Sequence, residues 1–264
     1  MSTKERNIDR AWEAIFNRYN LIGHDFSATP IEISAQEIKD ATRHFPTTGM
    51  REVRILCKQD KREDRPIIFQ DKGLFILPIR NGHYVILQGE GYVDIPPIPA
   101  VQSALSYTSK LDFPLLSTQV GNSEMQHLDH AYAVSILRTF VGDDSLVLTI
   151  RGRKYTPSFT MNIGSQAITV QSVQTEVDAG YEGASSVVLV EAKNNGTDNV
   201  IIRQLYYPYR QWTHHMQQHK HPKLVTTIFF ERVGDDFCLW QFRFREPTDY
   251  NSIELIKSAR YTLT

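Results

Sequence analysis

The chain has 264 residues, with 29 Lys or Arg against 30 Asp or Glu, so its formal net charge is −1. A hydrophobic fraction of 41% and a charged fraction of 22% exclude a disordered or fibrous chain, and the near-zero charge argues against a uniformly basic nucleic-acid coat. No apolar run reaches the roughly 18 residues of a membrane span, and the N-terminus lacks the apolar core of a signal peptide, so we expect a soluble intracellular protein.

The first 94 residues are predicted to form a small α+β module. Apolar residues recur at helical spacing between residues 7 and 18, and the S-x-x-E capping box of Ser34 and Glu37 predicts a second helix over 34–44. Short apolar runs follow, which we expect to form hairpins, at 53–57, 67–69, 74–79 and 84–87. The order of elements suggests a winged-helix-like DNA-recognition module over 1–94, and the Pro-rich stretch 95–99 suggests a connector.

The remainder, residues 95–264, is predicted to be an α/β domain with a mixed β-sheet flanked by helices. We expect one long helix from about 122 to 140 and a second helix over 198–207. Residues 151–154 are expected to form a polar turn, because a glycine lies there among cations. The strands predicted from short apolar runs are 146–150, 158–163, 167–177, 186–192, 225–231 and 237–244.

One group of charged residues in this domain has the chemistry expected of an active site. Asp178 ends one predicted strand, and Glu191 and Lys193 close the next, on a shared face because they are two residues apart. Two carboxylates and an ammonium at the end of a hydrophobic strand are costly to leave without a use. Carboxylates of this kind suit Mg²⁺, and a lysine stabilises negative charge on phosphorus, so the pattern indicates phosphodiester hydrolysis. The alternative is a buried ion pair between Lys193 and one carboxylate.

These residues, Asp178 followed by Glu191-Ala-Lys193, resemble the signature of the PD-(D/E)XK nuclease superfamily, with Val177 in place of the usual proline. The wider context over 176–210 looks like a group of type II restriction endonucleases, and the stretch 51–87 looks like their front module. The resemblance implies a restriction-endonuclease-like core. It further implies a Mg²⁺-dependent, site-specific endonuclease that cleaves double-stranded DNA as a cytoplasmic prokaryotic homodimer.

The resemblance also assigns roles to single residues. Asp178 and Glu191 would be metal ligands, and Lys193 the catalytic lysine. Glu124 and Glu176 are possible further ligands, although Glu124 is equally well explained as a solvated carboxylate in the first turn of a helix. Gln204 is similar to a glutamine that borders the active site in some related nucleases.

Five cations and one glutamine are candidates for contacts with DNA. Contacts with phosphates supply much of the affinity for nucleic acids. For Arg151, Arg153 and Lys154 the alternative is a solvated turn. The candidates are Arg151, Arg153, Lys154, Arg203, Gln204 and Arg210. A histidine cluster, His214, His215, His219 and His221, lacks the Cys or acidic partner typical of a zinc site and is interpreted as a surface or DNA-facing segment.

Two other functions stay open from the sequence. A repair or recombination nuclease would have the same core and act on a DNA structure, although the chain has no helicase or ATPase motif. A DNA-binding regulator would keep the N-terminal module and an inert core. The intact set of Asp178, Glu191 and Lys193 argues against that second alternative, since one substitution would be enough to abolish activity.

Overall fold

The computed structural model describes residues 6–99, 104–194 and 196–264, and its architecture is α/β. A large mixed sheet of seven strands lies between layers of helices, and a smaller unit precedes it in the chain. Among the described residues, no helix is long and apolar enough to cross a membrane.

The N-terminal unit combines short helices with a three-stranded antiparallel sheet, in which β3 (His83–Gln88) lies between β1 (Ile31–Ser34) and β2 (Leu74–Arg80). The predicted second helix is confirmed, because the Ser34 hydroxyl accepts a hydrogen bond from the Glu37 N–H (3.1 Å) at its start. The elements are α1 (Asn7–Arg18), β1 (Ile31–Ser34), α2 (Ala35–Thr42), α3 (Val53–Leu56), α4 (Ile67–Asp71), β2 (Leu74–Arg80) and β3 (His83–Gln88).

Two expected strands of this unit are wrong. The runs at 53–57 and 67–69 form the single-turn helices α3 and α4 instead. The Glu52 carboxylate caps α3 by accepting from the Arg54 N–H (3.4 Å), and Pro66 occupies the position just before α4, where its fixed φ suits a helix start. Short apolar runs do not distinguish one helical turn from a strand, so these flanking residues decided the outcome.

The second half supplies the large sheet, whose order is β5-β14-β13-β12-β10-β9-β6. The pairs β10–β12 and β14–β5 are parallel and the other pairs are antiparallel, so the predicted mixed sheet is confirmed. The elements are β4 (Tyr92–Asp94), β5 (Ala104–Tyr107), α5 (Glu124–Ala133), α6 (Ile136–Val141), β6 (Val147–Tyr155), β7 (Phe159–Ile163), β8 (Gln166–Val170), β9 (Gln174–Glu182), β10 (Ser186–Asn194), β11 (Asn199–Ile201), α7 (Arg203–Gln217), β12 (Leu224–Val233), β13 (Asp236–Phe244) and β14 (Ile253–Leu263).

The predicted polar turn at 151–154 is wrong, because these residues continue strand β6. Gly152 has φ of 75° and lies where the register of β6 against β9 shifts, which is the signature of a β-bulge. Since β6 is an edge strand of the sheet, Arg153 and Lys154 remain exposed to solvent without ending the strand.

The helix predicted over 198–207 is also wrong at its start. Asn199–Ile201 forms β11, which pairs with β4, and α7 begins at Arg203 and continues through Pro208 to Gln217. The partner strand lies about a hundred residues earlier in the chain, so no local pattern indicates it. The buried helix face, which includes Leu205 and Tyr206, keeps α7 intact around the proline.

Other predicted element boundaries differ from those in the structure. The long helix expected from 122 to 140 is divided into α5 and α6 at Ser135, whose φ is 70°. The predicted strands 158–163 and 167–177 are found in part as the paired strands β7 and β8, but the second ends at Val170 and β9 joins the large sheet instead. Asp178, predicted at the end of a strand, lies within β9, because that strand continues to Glu182 in its pairing with β10.

Two apolar clusters cover opposite faces of the large sheet. On one face, Leu128 of α5 and Leu137 of α6 pack with Phe230 of β12. The cluster on the other face joins the N-terminal unit to the core through a larger set, Phe75, Leu77, Val85, Met161, Tyr206 and Trp240. The N-terminal unit therefore shares a continuous core with the sheet, which fixes its position relative to α7.

A half-buried acid, Asp236, links β13 to β14 and makes stability depend on pH. The Asp236 carboxylate accepts hydrogen bonds from Arg260 Nε (2.6 Å) and from the Thr262 hydroxyl (2.5 Å). Burial alone would raise the pKa of Asp236, but these bonds outweigh it and hold the pKa below the ordinary 3.8. We expect Asp236→Asn to lower the free energy of unfolding by about 1–2 kcal/mol at neutral pH.

The sign of the pH dependence follows from the lowered pKa. The stabilisation is complete above the unfolded-state pKa and is lost as pH falls through the folded-state pKa. The difference between the two proteins should therefore begin to shrink below about pH 4 and vanish only below the lowered pKa of Asp236. Urea unfolding at about pH 7 and pH 3 measures this. Asp235→Asn is the matched control, since Asp235 is 98% exposed and should change stability by less than about 0.5 kcal/mol. A constant difference between wild type and Asp236→Asn at both pH values would contradict the assignment.

Candidate active site

Strands β9 and β10 bring together the three predicted site residues Asp178, Glu191 and Lys193, called the trio below. Their antiparallel register pairs Val190 with Ala179, which places Asp178 beside the Glu191 end of β10. The Ala192 N–H donates a hydrogen bond to Asp178 Oδ2 (2.7 Å), so the backbone of β10 fixes this carboxylate. Glu191 and Lys193 lie on one face of β10, and the Lys193 ammonium contacts the Glu191 carboxylate.

Burial dominates the electrostatics of these groups. Glu191 is only 8% exposed, and burial raises its pKa to about 7 although the Lys193 ammonium opposes the shift. Burial also raises the pKa of Asp178 against the opposing Ala192 N–H and Lys193. For Lys193, burial lowers the pKa, but the carboxylates of Glu191 and Asp178 outweigh it and raise the value above 10.5. The lysine therefore stays charged, and its single positive charge does not neutralise both carboxylates.

Glu124 and Glu176 lie near the trio in different ways. The Glu124 carboxylate, at the start of α5, accepts a hydrogen bond from the Asn194 N–H (3.0 Å) and so binds the end of β10. Its charge acts on both Asp178 and Lys193. Glu176 shares a strand face with Asp178, but its carboxylate is exposed and pairs with Arg153 Nε (3.2 Å). Both are positioned to influence the trio from its edge.

The donor set fits a divalent cation held by two carboxylates. Across the described residues, no three His, Cys, Asp or Glu side chains come close enough together to hold a metal ion. Asp178 and Glu191 form a pair, which is the number of carboxylates that commonly holds Mg²⁺ when waters and phosphate oxygens complete its shell. A buried carboxyl with a pKa near 7 also favours a nearby cation, which would stabilise its ionised form.

The trio faces a cleft of about 690 Å³ between the N-terminal unit and the core. The N-terminal unit supplies one wall, and the large sheet with the start of α7 supplies the other. Six Lys or Arg side chains and four acids line it: Arg54, Lys58, Arg80, Arg153, Lys193 and Arg203, with Asp60, Glu176, Asp178 and Glu191. A concave, cation-rich surface with buried carboxylates at its floor suits an anionic substrate.

Three of the six residues predicted to contact DNA line this cleft, namely Arg153, Arg203 and Gln204. Gln204 Oε1 is buried with no hydrogen-bond partner among the described residues. Arg153 is exposed on β6, whereas Arg203 is mostly buried and its Nη2 lies 3.5 Å from Asp60 Oδ1. These side chains could contact a substrate bound at the trio.

The other three have different surroundings. The Arg151 guanidinium donates to the Asp178 carbonyl oxygen (3.1 Å) and contacts the Asp129 carboxylate, so it braces β9 against α5. Arg210 donates to the Thr160 carbonyl (3.1 Å) and the Tyr206 hydroxyl (2.7 Å), tying α7 to β7. Lys154 is exposed on β6 outside the cleft lining. The histidines 214, 215, 219 and 221 lie at and beyond the end of α7, also outside that lining.

Sequence reasoning missed the contribution of the N-terminal unit to this site. Asp60 lies in the cleft, its charge raises the pKa of Glu191, and its backbone carbonyl accepts a hydrogen bond from the Ile201 N–H (2.9 Å). Arg54, Lys58 and Arg80 line the same wall. The dense charge run over 58–65 was the available signal, but its position depends on long-range packing.

Fold and site together define an α/β protein with a candidate acidic active site at the floor of an inter-unit cleft. The chain belongs to the family described as Domain of unknown function (DUF6997), whose model matches residues 87–262. The model described as Domain of unknown function (DUF6996) matches residues 9–86, so the two matches meet within β3. Comparisons with curated proteins and with solved structures give no match.

Proposed function

We propose that this protein is a Mg²⁺-dependent endonuclease that hydrolyses phosphodiester bonds of double-stranded DNA, as a type II restriction enzyme does. The observation that carries the proposal is the convergence of Asp178, Glu191 and Lys193 at the floor of the cation-lined cleft. A buried ion pair alone needs only one acid, whereas here a second carboxylate is held in place by the Ala192 N–H.

Each member of the trio has a distinct task in this proposal. The carboxylates of Asp178 and Glu191 would hold Mg²⁺, which when bound supplies positive charge that polarises the scissile phosphate. The Lys193 ammonium is kept charged by the neighbouring acids and would donate hydrogen bonds to the phosphate oxygens on which negative charge develops. Arg151 holds the Asp178 backbone, and the Ala192 N–H orients the carboxylate itself.

The finer features of the proposal extend the observed architecture. A restriction-endonuclease-like core is supported by β9 and β10 carrying the site, with α5 and α6 before these strands and α7 after them. A winged-helix-like N-terminal unit is supported by helices packed with the three-stranded sheet β1-β3-β2. A homodimer acting in a prokaryotic cytoplasm completes the proposal, because DNA targets with two-fold symmetry suit symmetric dimers.

Incubation of the protein with plasmid DNA and Mg²⁺ tests the function directly. We expect discrete, reproducible fragments that disappear when EDTA replaces Mg²⁺. A smear, or nicking only at branched or gapped DNA, would instead favour a repair or recombination nuclease with the same site. DNA binding with no cleavage under any divalent cation would favour a regulator and contradict the nuclease.

A further inference from the structure

Two cations of the N-terminal unit face the candidate active site without a strong partner. Arg54 belongs to α3 and Lys58 follows it, and both line the cleft. Within the described residues, the Arg54 side chain has no hydrogen bond or ion pair. The Lys58 ammonium is 73% exposed and lies 3.8 Å from Asp60 Oδ2, a separation at which an exposed pair contributes about 0–1 kcal/mol.

These two cations differ from Arg80 on the same wall and from Arg203 on the opposite wall. Arg80 is engaged, since its guanidinium contacts the Glu32 carboxylate and lies 3.3 Å from His83 Nδ1. Arg203 interacts with Asp60 at the start of α7. Arg54 and Lys58 therefore have no strong ionic partner among the described residues. Both lie at the mouth of the cleft, where they also line an adjoining depression with Arg6, Glu52 and Asp64.

The chemistry of the cleft indicates which ligand these donors would meet. Exposed cations on the wall of the N-terminal unit, and the carboxylates of Asp178 and Glu191 at the floor, suit a polyanion whose backbone spans the cleft with one phosphate at the trio. Single-stranded nucleic acid is held largely by stacking on aromatic side chains. Three tyrosines among the described residues line the cleft. Tyr207 is buried with its hydroxyl donating to the Pro78 carbonyl (2.9 Å), Tyr84 is half-buried, and Tyr155 is 61% exposed. The choice of duplex DNA therefore follows from the proposed function, and single-stranded DNA is the alternative that the test includes.

We propose that the N-terminal unit holds the backbone of duplex DNA through Arg54 and Lys58, across the cleft from Asp178, Glu191 and Lys193. This inference rests on the proposed function and adds a second contact surface to it. The two side chains bind phosphates and so contribute to affinity for every sequence. Base recognition and bond cleavage depend on other residues.

The test measures binding of a mixed-sequence duplex of about 40 base pairs in EDTA, over a range of salt concentrations. Each phosphate contact contributes about 0.9 to the slope of log K against log salt concentration. We expect the double variant Arg54→Gln/Lys58→Gln to lower that slope by about two and to weaken binding by about tenfold or more near 0.1 M salt.

The matched control is Lys39→Gln/Arg43→Gln, which also removes one Lys and one Arg four residues apart from the same unit. Both control residues are exposed, and neither lines the cleft, so we expect wild-type binding. Equal losses in both double variants, or an unchanged slope for Arg54→Gln/Lys58→Gln, would overturn this inference. In those cases the proposed function stands if wild-type protein still cuts plasmid DNA. Preferential binding of single-stranded DNA would also overturn it.

Discussion

Asp178→Asn is expected to fold like the wild-type protein and to lose DNA cleavage by at least about a thousandfold, which corresponds to about 4 kcal/mol in the activation barrier. The asparagine keeps an oxygen that can accept the Ala192 N–H, so the join between β9 and β10 persists. Burial raises the pKa of Asp178, which means that folding disfavours its charge, so a neutral side chain costs no stability. What disappears is the charge that would hold Mg²⁺.

Three measurements separate chemistry from folding in this variant. The rate of loss of supercoiled plasmid in Mg²⁺ reports cleavage, urea unfolding reports stability, and duplex binding in EDTA reports the substrate surface. Asp144→Asn is the matched control, because Asp144 is 79% exposed and, within the part of the chain that the structure describes, its carboxylate pairs only with Lys110 (2.8 Å). Cleavage by Asp178→Asn within tenfold of wild type would remove Asp178 from the site.

Some of this site could be predicted from the sequence because its determinants are local. Alternation along a strand places Glu191 and Lys193 on one face, and the glycine-containing turn after β9 makes β10 its neighbour. Ser34 and Glu37 similarly specify the start of α2, since a capping box needs only four residues. Each of these inferences depends on residues close together in the chain.

The features that escaped prediction depend on partners distant in sequence. β11 forms because β4, about a hundred residues earlier, pairs with it. Asp60 reaches the cleft because the backbone and side chains of that segment bind Asn199 and Ile201 near the start of α7. Gly152 suggested a turn, but pairing with β9 turned it into a bulge within β6. Local composition does not encode these contacts.

The pair formed by Glu191 and Lys193 allows its structural and catalytic roles to be separated. Lys193→Met leaves Glu191 buried without its ammonium partner, and losing one member of a buried pair costs about 3–5 kcal/mol. We expect the lower end of that range, because the Glu191 carboxyl, whose pKa is already raised to about 7, can take up a proton. Adding Glu191→Gln removes the uncompensated charge, so the double variant should recover most of the lost stability.

Across the two single variants and the double variant, DNA cleavage should stay low even where the free energy of unfolding recovers. Lys193→Met, Glu191→Gln and the double variant should each cleave DNA at least about a thousandfold more slowly, whereas urea unfolding shows the double variant close to wild type. Lys223→Met provides the comparison, because Lys223 pairs with Glu182 (2.5 Å) at a more exposed position and should cost no more than about 1 kcal/mol. If the refolded double variant regained cleavage together with stability, the pair would be only a structural element, and the charges of Glu191 and Lys193 would have no part in catalysis.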